Sequence, residues 1–191
     1  MKTSKSASNL SPEYPLLGLL ARQPAHGYEL HQRLVEEFGH TWHISLSQTY
    51  NILKRLESQG VISGEDQNQE NRPARRYFQL TPLGRERFEA WLDSTVGCST
   101  RAIRIEFLTR LAFAESLRPQ LVPQLLARQI TEVENGLARL EDALQKLSTA
   151  QTYNRLALQL RVRQLAPMLD WLIACQTAWQ HEASFQSISS P

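Results

Sequence analysis

The sequence predicts a mainly α protein in two parts: an N-terminal winged helix-turn-helix (three helices plus a β-hairpin wing), followed by a long-helix, coiled-coil-like dimerisation domain. Three observations predict it. Seven of the eight glycines lie in residues 1–97 and only Gly136 follows, so short elements joined by turns give way to long helices. The apolar periods of the first half read as helix, helix, helix, hairpin and helix. The second half carries heptad spacings sustained over several turns. The chain of 191 residues is long enough for two domains, and the shift around Gly97 places them at 12–96 and 98–182.

In the first part, Leu16, Leu17, Leu19 and Leu20 form a short apolar helix that stops before Pro24. A second helix runs from about Gly27 to Phe38, with Leu30, Leu34, Val35 and Phe38 at helical spacing and Gly39 at its end. Ser45 caps a third helix whose expected buried stripe is Leu46, Tyr50, Leu53 and Leu56, closed by Gly60. Val61 and Ile62 open a strand, the polar run Gly64 to Arg75 reads as a long hairpin tip, and Arg76 to Leu80 returns. Thr81-Pro82 starts a fourth helix, because threonine caps and proline at the first position loses no needed hydrogen bond. Leu83, Phe88, Trp91 and Leu92 are its expected core side.

In the second part, Ile103, Phe107, Leu108 and Leu111 give an apolar face to a helix that ends at Arg118-Pro119. Leu126, Ile130, Val133, Leu137, Leu140, Leu144 and Leu147 then recur at 4-3 spacing, on a helix from about Val122 to Ser148. A last helix repeats the spacing with Leu158, Val162, Leu165, Leu169 and Leu172, and Pro167 inside it is expected to kink it. A narrow seam needs a partner helix. These two seams are the expected dimer interface of a homodimer, whether they pair within one chain or across two.

Composition narrows the function. Lys plus Arg number 21 against 19 Asp plus Glu, so general basicity argues nothing and any nucleic-acid case rests on local clustering. The two cysteines allow neither a disulfide framework nor a CxxC metal pair. With no signal peptide or membrane-spanning run in view, a cytoplasmic protein is expected. No phosphate-cradling glycine loop, GxSxG or HExxH is present, so no enzyme is expected, and no cofactor. His40 and His43 with Glu36 or Glu37 resemble a metal set only in spacing; Gly39 interrupts the helix, and they read as loop histidines.

A helix-turn-helix reads DNA by laying its second helix in the major groove. On the third helix the outward residues are Ser47, Gln48, Thr49, Asn51, Lys54, Arg55 and Ser58. Gln48 and Asn51 suit adenine, and Lys54 and Arg55 suit guanine or phosphate. Residues 71–88 hold Arg72, Arg75, Arg76, Arg85 and Arg87 against Glu86 alone, a local +4. The first three, on the hairpin, suit contact with the DNA backbone. The competing reading is a winged-helix protein–protein interaction module with a coiled-coil arm, for which exposed apolar residues would be expected on that face.

The runs LLGLLARQPAHGYEL, WHISLSQTYNILKRLESQGVI and NRPARRYFQLTPLGRERFEAWL resemble the PadR family of bacterial transcriptional regulators. Pro24, His26, Gly27 and Tyr28 match the family's turn into the second helix, and Trp42, Ile44, Ser45 and Tyr50 its entry to the recognition helix. Arg72-Pro73 with Tyr77, Leu80 and Thr81 match its wing. The resemblance is specific over 14–92 and looser over 98–180, where RIEFLTRLAF and a late DWL carry it. It implies a homodimer on a roughly palindromic double-stranded DNA operator, usually repressing transcription, with Tyr28 and Tyr50 as phosphate contacts. It also implies a small aromatic effector in some members, without identifying one here; Trp42, Trp91, Trp171 and Trp179 are available but also suit the core. The family commonly has proline after the recognition-helix tyrosine. Here that residue is Asn51, a candidate base reader in its own right.

Overall fold

The computed structural model describes the backbone of residues 11–69 and 72–188, and their side chains except at 67–69, 72–75 and 182–188. The chain divides into two compact units after Ser94.

The first unit comprises α1 (Glu13–Arg22), β1 (Ala25–His26), α2 (Gly27–Phe38), α3 (Leu46–Ser58), β2 (Ile62–Gln69), β3 (Arg72–Leu80) and α4 (Pro82–Asp93). Leu16, Leu17, Leu19 and Leu20 of α1 are all buried, and Tyr14 stacks on Trp91 of α4 with ring centroids 4.6 Å apart. The sheet has the order β1-β3-β2 and is antiparallel throughout. Two-residue β1 is too short for an alternation signal, so the sequence does not announce it. It pairs Ala25 with Phe78 and His26 with Tyr77, which ties the turn into α2 to the root of the wing. The ladder between β2 and β3 runs out to Gln69 and Arg72. Most of the stretch expected to be a hairpin tip is therefore strand: the pairing uses backbone groups, which a polar sequence supplies as well as an apolar one.

Four expected core positions are corrected. On α2, Leu30, Leu34 and Phe38 form the buried stripe, and Val35, about 100° around the helix from Leu34, is half exposed. On α3 the buried stripe is Thr49, Ile52, Leu53 and Leu56, while Leu46 and Tyr50 lie on its flank. On α4, Leu83 is exposed and Gly84 is buried instead, its Cα directly against the Val61 carbonyl.

The second unit begins with α5 (Thr100–Ala102), a π-helical turn (Ile103–Phe107) and α6 (Leu108–Leu117). One extra residue in the wide turn rotates everything after it. Leu108 and Leu111 are consequently only half-buried, and Glu106, Thr109, Arg110, Phe113 and Ala114 occupy the buried side. Glu106 and Arg110 form an ion pair one turn apart and wholly out of solvent. A 3-10 turn (Pro119–Leu121) leads into α7 (Val122–Lys146), and α8 (Thr152–Ile188) continues through Pro167 as one helix.

The heptad seams close on one another within the chain. The connection between α7 and α8 is short, the two helices pack along each other, and Leu126, Val133, Leu140, Leu165 and Leu172 are buried in the single chain. Ile130, Leu137, Leu144, Leu147, Leu158, Val162 and Leu169 are half-buried along the same seam, with Leu147 just past the end of α7. Pairing within the chain is one of the two arrangements that the spacing allows, and it leaves seven of the twelve seam residues partly exposed. Gly136 of α7 receives the Cys98 sulfur, and partial burial pushes both the Cys98 and the Cys175 thiols up from their ordinary pKa, away from the reactive thiolate.

A methyl group at residue 84 has no room beside the Val61 carbonyl, whereas one at residue 97 meets nothing within 4 Å. Gly84→Ala is expected to destabilise the protein by about 1–3 kcal/mol and Gly97→Ala by far less, measured by denaturant unfolding.

Candidate nucleic-acid interface

The interface is built on α3. Its first turn is locked by a capping box: the Ser45 hydroxyl accepts from the Gln48 N–H at 3.2 Å, and the Gln48 side-chain oxygen accepts from the Ser45 N–H at 2.8 Å. The S-x-x-Q spacing encodes this cap, so Gln48, expected as a base contact, has a structural role as well. Its amide oxygen is committed to the cap. Thr49, expected to face outward, is completely buried; its hydroxyl donates to the Ser45 carbonyl at 3.2 Å and lies 3.0 Å from His31 Nδ1. It faces inward because it shares the stripe of Ile52, Leu53 and Leu56.

Opposite that stripe lie Ser47, Asn51, Lys54 and Ser58, all exposed and spaced 4-3-4 along one side of the helix. Arg55 stands on one flank, where it pairs with the buried carboxylate of Glu13 on α1. Glu13 also holds Arg87 of α4, which donates at 3.0 Å to Gln59. The expected groove contact Arg55 is therefore partly committed within the fold. Sequence reading missed Glu13, because nothing local marks a carboxylate whose partners lie 42 and 74 residues away.

On the other flank a groove of about 580 Å³ is lined by His26, Gly27, Tyr28, Glu29, Gln32, Tyr50 and Arg76. Tyr28 and Tyr50 are exposed, and the first-turn N–H groups of α2 begin at this groove. Gly27 is required here by close approach: a Cβ on it would lie 2.7 Å from the Tyr50 ring. His26 Nδ1 lies 3.3 Å from the Arg76 carbonyl oxygen, and its ring meets Tyr77 edge-on at 5.1 Å. Hydroxyls, amides and a guanidinium around one concavity are donors suited to an anion, and the Glu29 carboxylate on the same lining is paired with Arg33.

The wing is fastened to α3 by charge. The Arg76 guanidinium bonds Glu57 near the end of α3 at 2.6 Å and Asp66 of β2 at 3.0 Å. The Glu57 carboxylate raises the guanidinium's pKa. Gly64 makes the passage possible, since a Cβ there would lie 2.6 Å from both Arg76 Nε and Glu57 Oε1. Arg76, expected as a free phosphate contact, is thus first a strap. Arg72 and Arg75 pair in register with Gln69 and Gln67; their side chains lie outside the described residues. Among the described residues, no group of three or more His, Cys, Asp or Glu is placed to hold a metal ion. None of the described helices is long and apolar enough to cross a membrane.

Three helices, a three-stranded antiparallel sheet and a wing fastened to the second helix of the motif define a winged helix-turn-helix protein. Residues 16–90 match the transcriptional regulator PadR-like family, and residues 103–179 match the virulence activator alpha C-terminal family. The negative transcriptional regulator PadR of Bacillus subtilis (strain 168) is 27% identical over 135 residues, covering 71% of this chain and 74% of the relative. Similar solved structures include Bacillus subtilis PadR in complex with operator DNA, at 23% identity and a TM-score of 0.44 over 87% of this chain and 96% of that one. Another is smu.1604c from Streptococcus mutans UA159, at 24% identity and a TM-score of 0.44 over 86% and 97%. Over residues 16–90 the chain carries a domain of the PadR-like transcriptional regulator family.

The cap generates a prediction. Ser45→Ala removes the acceptor for the Gln48 N–H and is expected to cost about 1 kcal/mol of stability, measured by thermal or denaturant unfolding. An unchanged midpoint would show that the cap contributes nothing.

Proposed function

We propose that the chain is a sequence-specific DNA-binding repressor that acts as a homodimer on a roughly palindromic operator. One observation carries the DNA reading: the outward side of α3 presents Ser47, Asn51, Lys54 and Ser58 with no carboxylate among them. The acid of that helix, Glu57, is turned to the flank and paired with Arg76. Phosphates repel carboxylates, so a helix entering the major groove needs its acids withdrawn. At 13 residues α3 is about 20 Å long at ~1.5 Å per residue, and the groove, about 12 Å wide, admits it.

In this reading Asn51 pairs bidentately with adenine and Lys54 contacts guanine or phosphate. The groove beside Tyr28, Tyr50 and Arg76 receives a backbone phosphate against the start of α2. Arg72 and Arg75 add backbone contacts from the wing. Repression follows the relative, which is named a negative regulator.

The homodimer uses a face other than the heptad seam. Tyr153, Leu156, Leu160 and Trp171 are exposed on α8, away from the seam residues buried against α7. A helix apolar on two sides, packed on one, favours a second copy on the other. The recognition helices of the dimer then lie roughly 34 Å apart, one turn of DNA.

Selection of genomic fragments by the purified protein at physiological salt tests the reading: one short inverted repeat should be enriched. No enrichment above random fragments would mean either that DNA binding needs an effector or that the winged helix is a protein-interaction module. On the selected site Asn51→Ala should cost about 1–3 kcal/mol and change random-DNA binding little. Lys54→Ala should weaken binding on all sequences and lower the salt slope by about 1. Leu156→Asp with Leu160→Asp should give folded monomers in sedimentation velocity; a persistent dimer would place the interface elsewhere.

A further inference from the structure

Resting on the DNA-reading proposal, we propose that His31 is a positioning residue for base recognition, acting through Thr49. The Thr49 hydroxyl has one hydrogen to donate and lies within reach of the Ser45 carbonyl at 3.2 Å. With that hydrogen on the carbonyl, the oxygen accepts from an Nδ1–H of His31 at 3.0 Å; in the other tautomer the hydroxyl donates to Nδ1, and the two side chains are tied in either case. Thr49 is wholly buried and His31 half-buried, so water competes little for this bond.

The surrounding contact between the two helices is apolar: Leu30, Leu34 and Phe38 are buried on α2, and Ile52, Leu53 and Leu56 on α3. Apolar packing selects which stripe is buried but is non-directional, whereas a hydrogen bond of defined geometry adds a fixed angle to it. The His31–Thr49 bond therefore sets the angle of α3 about its own axis. Ser47 and Asn51 lie about 160° and 200° around the helix from Thr49, directly across from it. A rotation of about 20° at a side-chain radius of about 5–6 Å moves Asn51 by about 2 Å, well outside the hydrogen-bonding range for a base edge. Backbone contacts with phosphates, made by long or mobile side chains, tolerate such a shift. Loss of the tie should therefore reduce discrimination between sequences, leaving general affinity for DNA in place.

The test measures affinity for the selected operator and for random DNA in His31→Leu, Thr49→Val, the double variant and His31→Asn, whose amide can donate or accept where Nδ1 did. The expected result is a fall of about three- to tenfold in the specific-to-random ratio for each of the first two, with random-DNA affinity unchanged. The double variant should be no worse than either, and His31→Asn should recover the ratio. An unchanged ratio, equal losses on both DNAs, or additive losses in the double variant would each overturn the proposal. Should His31→Leu fail to fold, the nearly isosteric Thr49→Val decides by the same ratio. A wild-type protein without sequence preference would sink the DNA-reading proposal itself, whereas a selective wild type with an equally selective Thr49→Val would sink only the role of His31.

Discussion

Everything presented by the first unit depends on how α3 is rotated about its own axis. Ile52, Leu53 and Leu56 bury one stripe of the helix and so choose which side faces away from them. Thr49 belongs to that stripe although it is polar, and it is satisfied there by Ser45 and His31. The capping box adds a fixed beginning, so the helix is held at its start by hydrogen bonds and along its length by packing. A surface meant to meet a rigid partner gains from such rigidity, because less ordering entropy is lost on contact.

Charge is arranged with the same economy. Glu13 is buried between Arg55 and Arg87, and Glu57 is clasped by Arg76, so both of these carboxylates are paired with arginines. The arginines pay part of their own charge for it, which is why a count of basic residues overstates the field toward a ligand. What remains on the outward side is polar with one cation, Lys54, and next to it a groove rimmed by hydroxyls. Gly27 and Gly64 are the two places where absence of a side chain lets these arrangements close.

The second unit uses its leucines differently from a coiled coil between chains. A short connection returns α8 along α7, and intramolecular pairing then costs only a small loop closure. With the seam occupied, the exposed aromatic and aliphatic residues of α8 become the unsatisfied surface. The π-helical turn before α6 likewise trades expected leucines for Glu106 and Arg110 in the interior, a pairing that periodicity counted at 3.6 residues per turn does not foresee.

By itself the sequence determined the order of elements, the wing, the long helices, the cap at Ser45 and the cap at Thr81, because each is written in residues within a few positions of one another. It also marked Ser47, Asn51 and Lys54 as polar positions of one exposed helix face. Only the tertiary structure decided that Thr49 turns inward, that Arg55 and Arg76 are committed to Glu13 and to Glu57 and Asp66, that β1 joins the sheet, and that the heptad seams meet in one chain. The reason is physical range. Periodicity and capping are local, whereas the rotation of a helix and the partner of a charge are set by side chains that folding brings from distant parts of the chain.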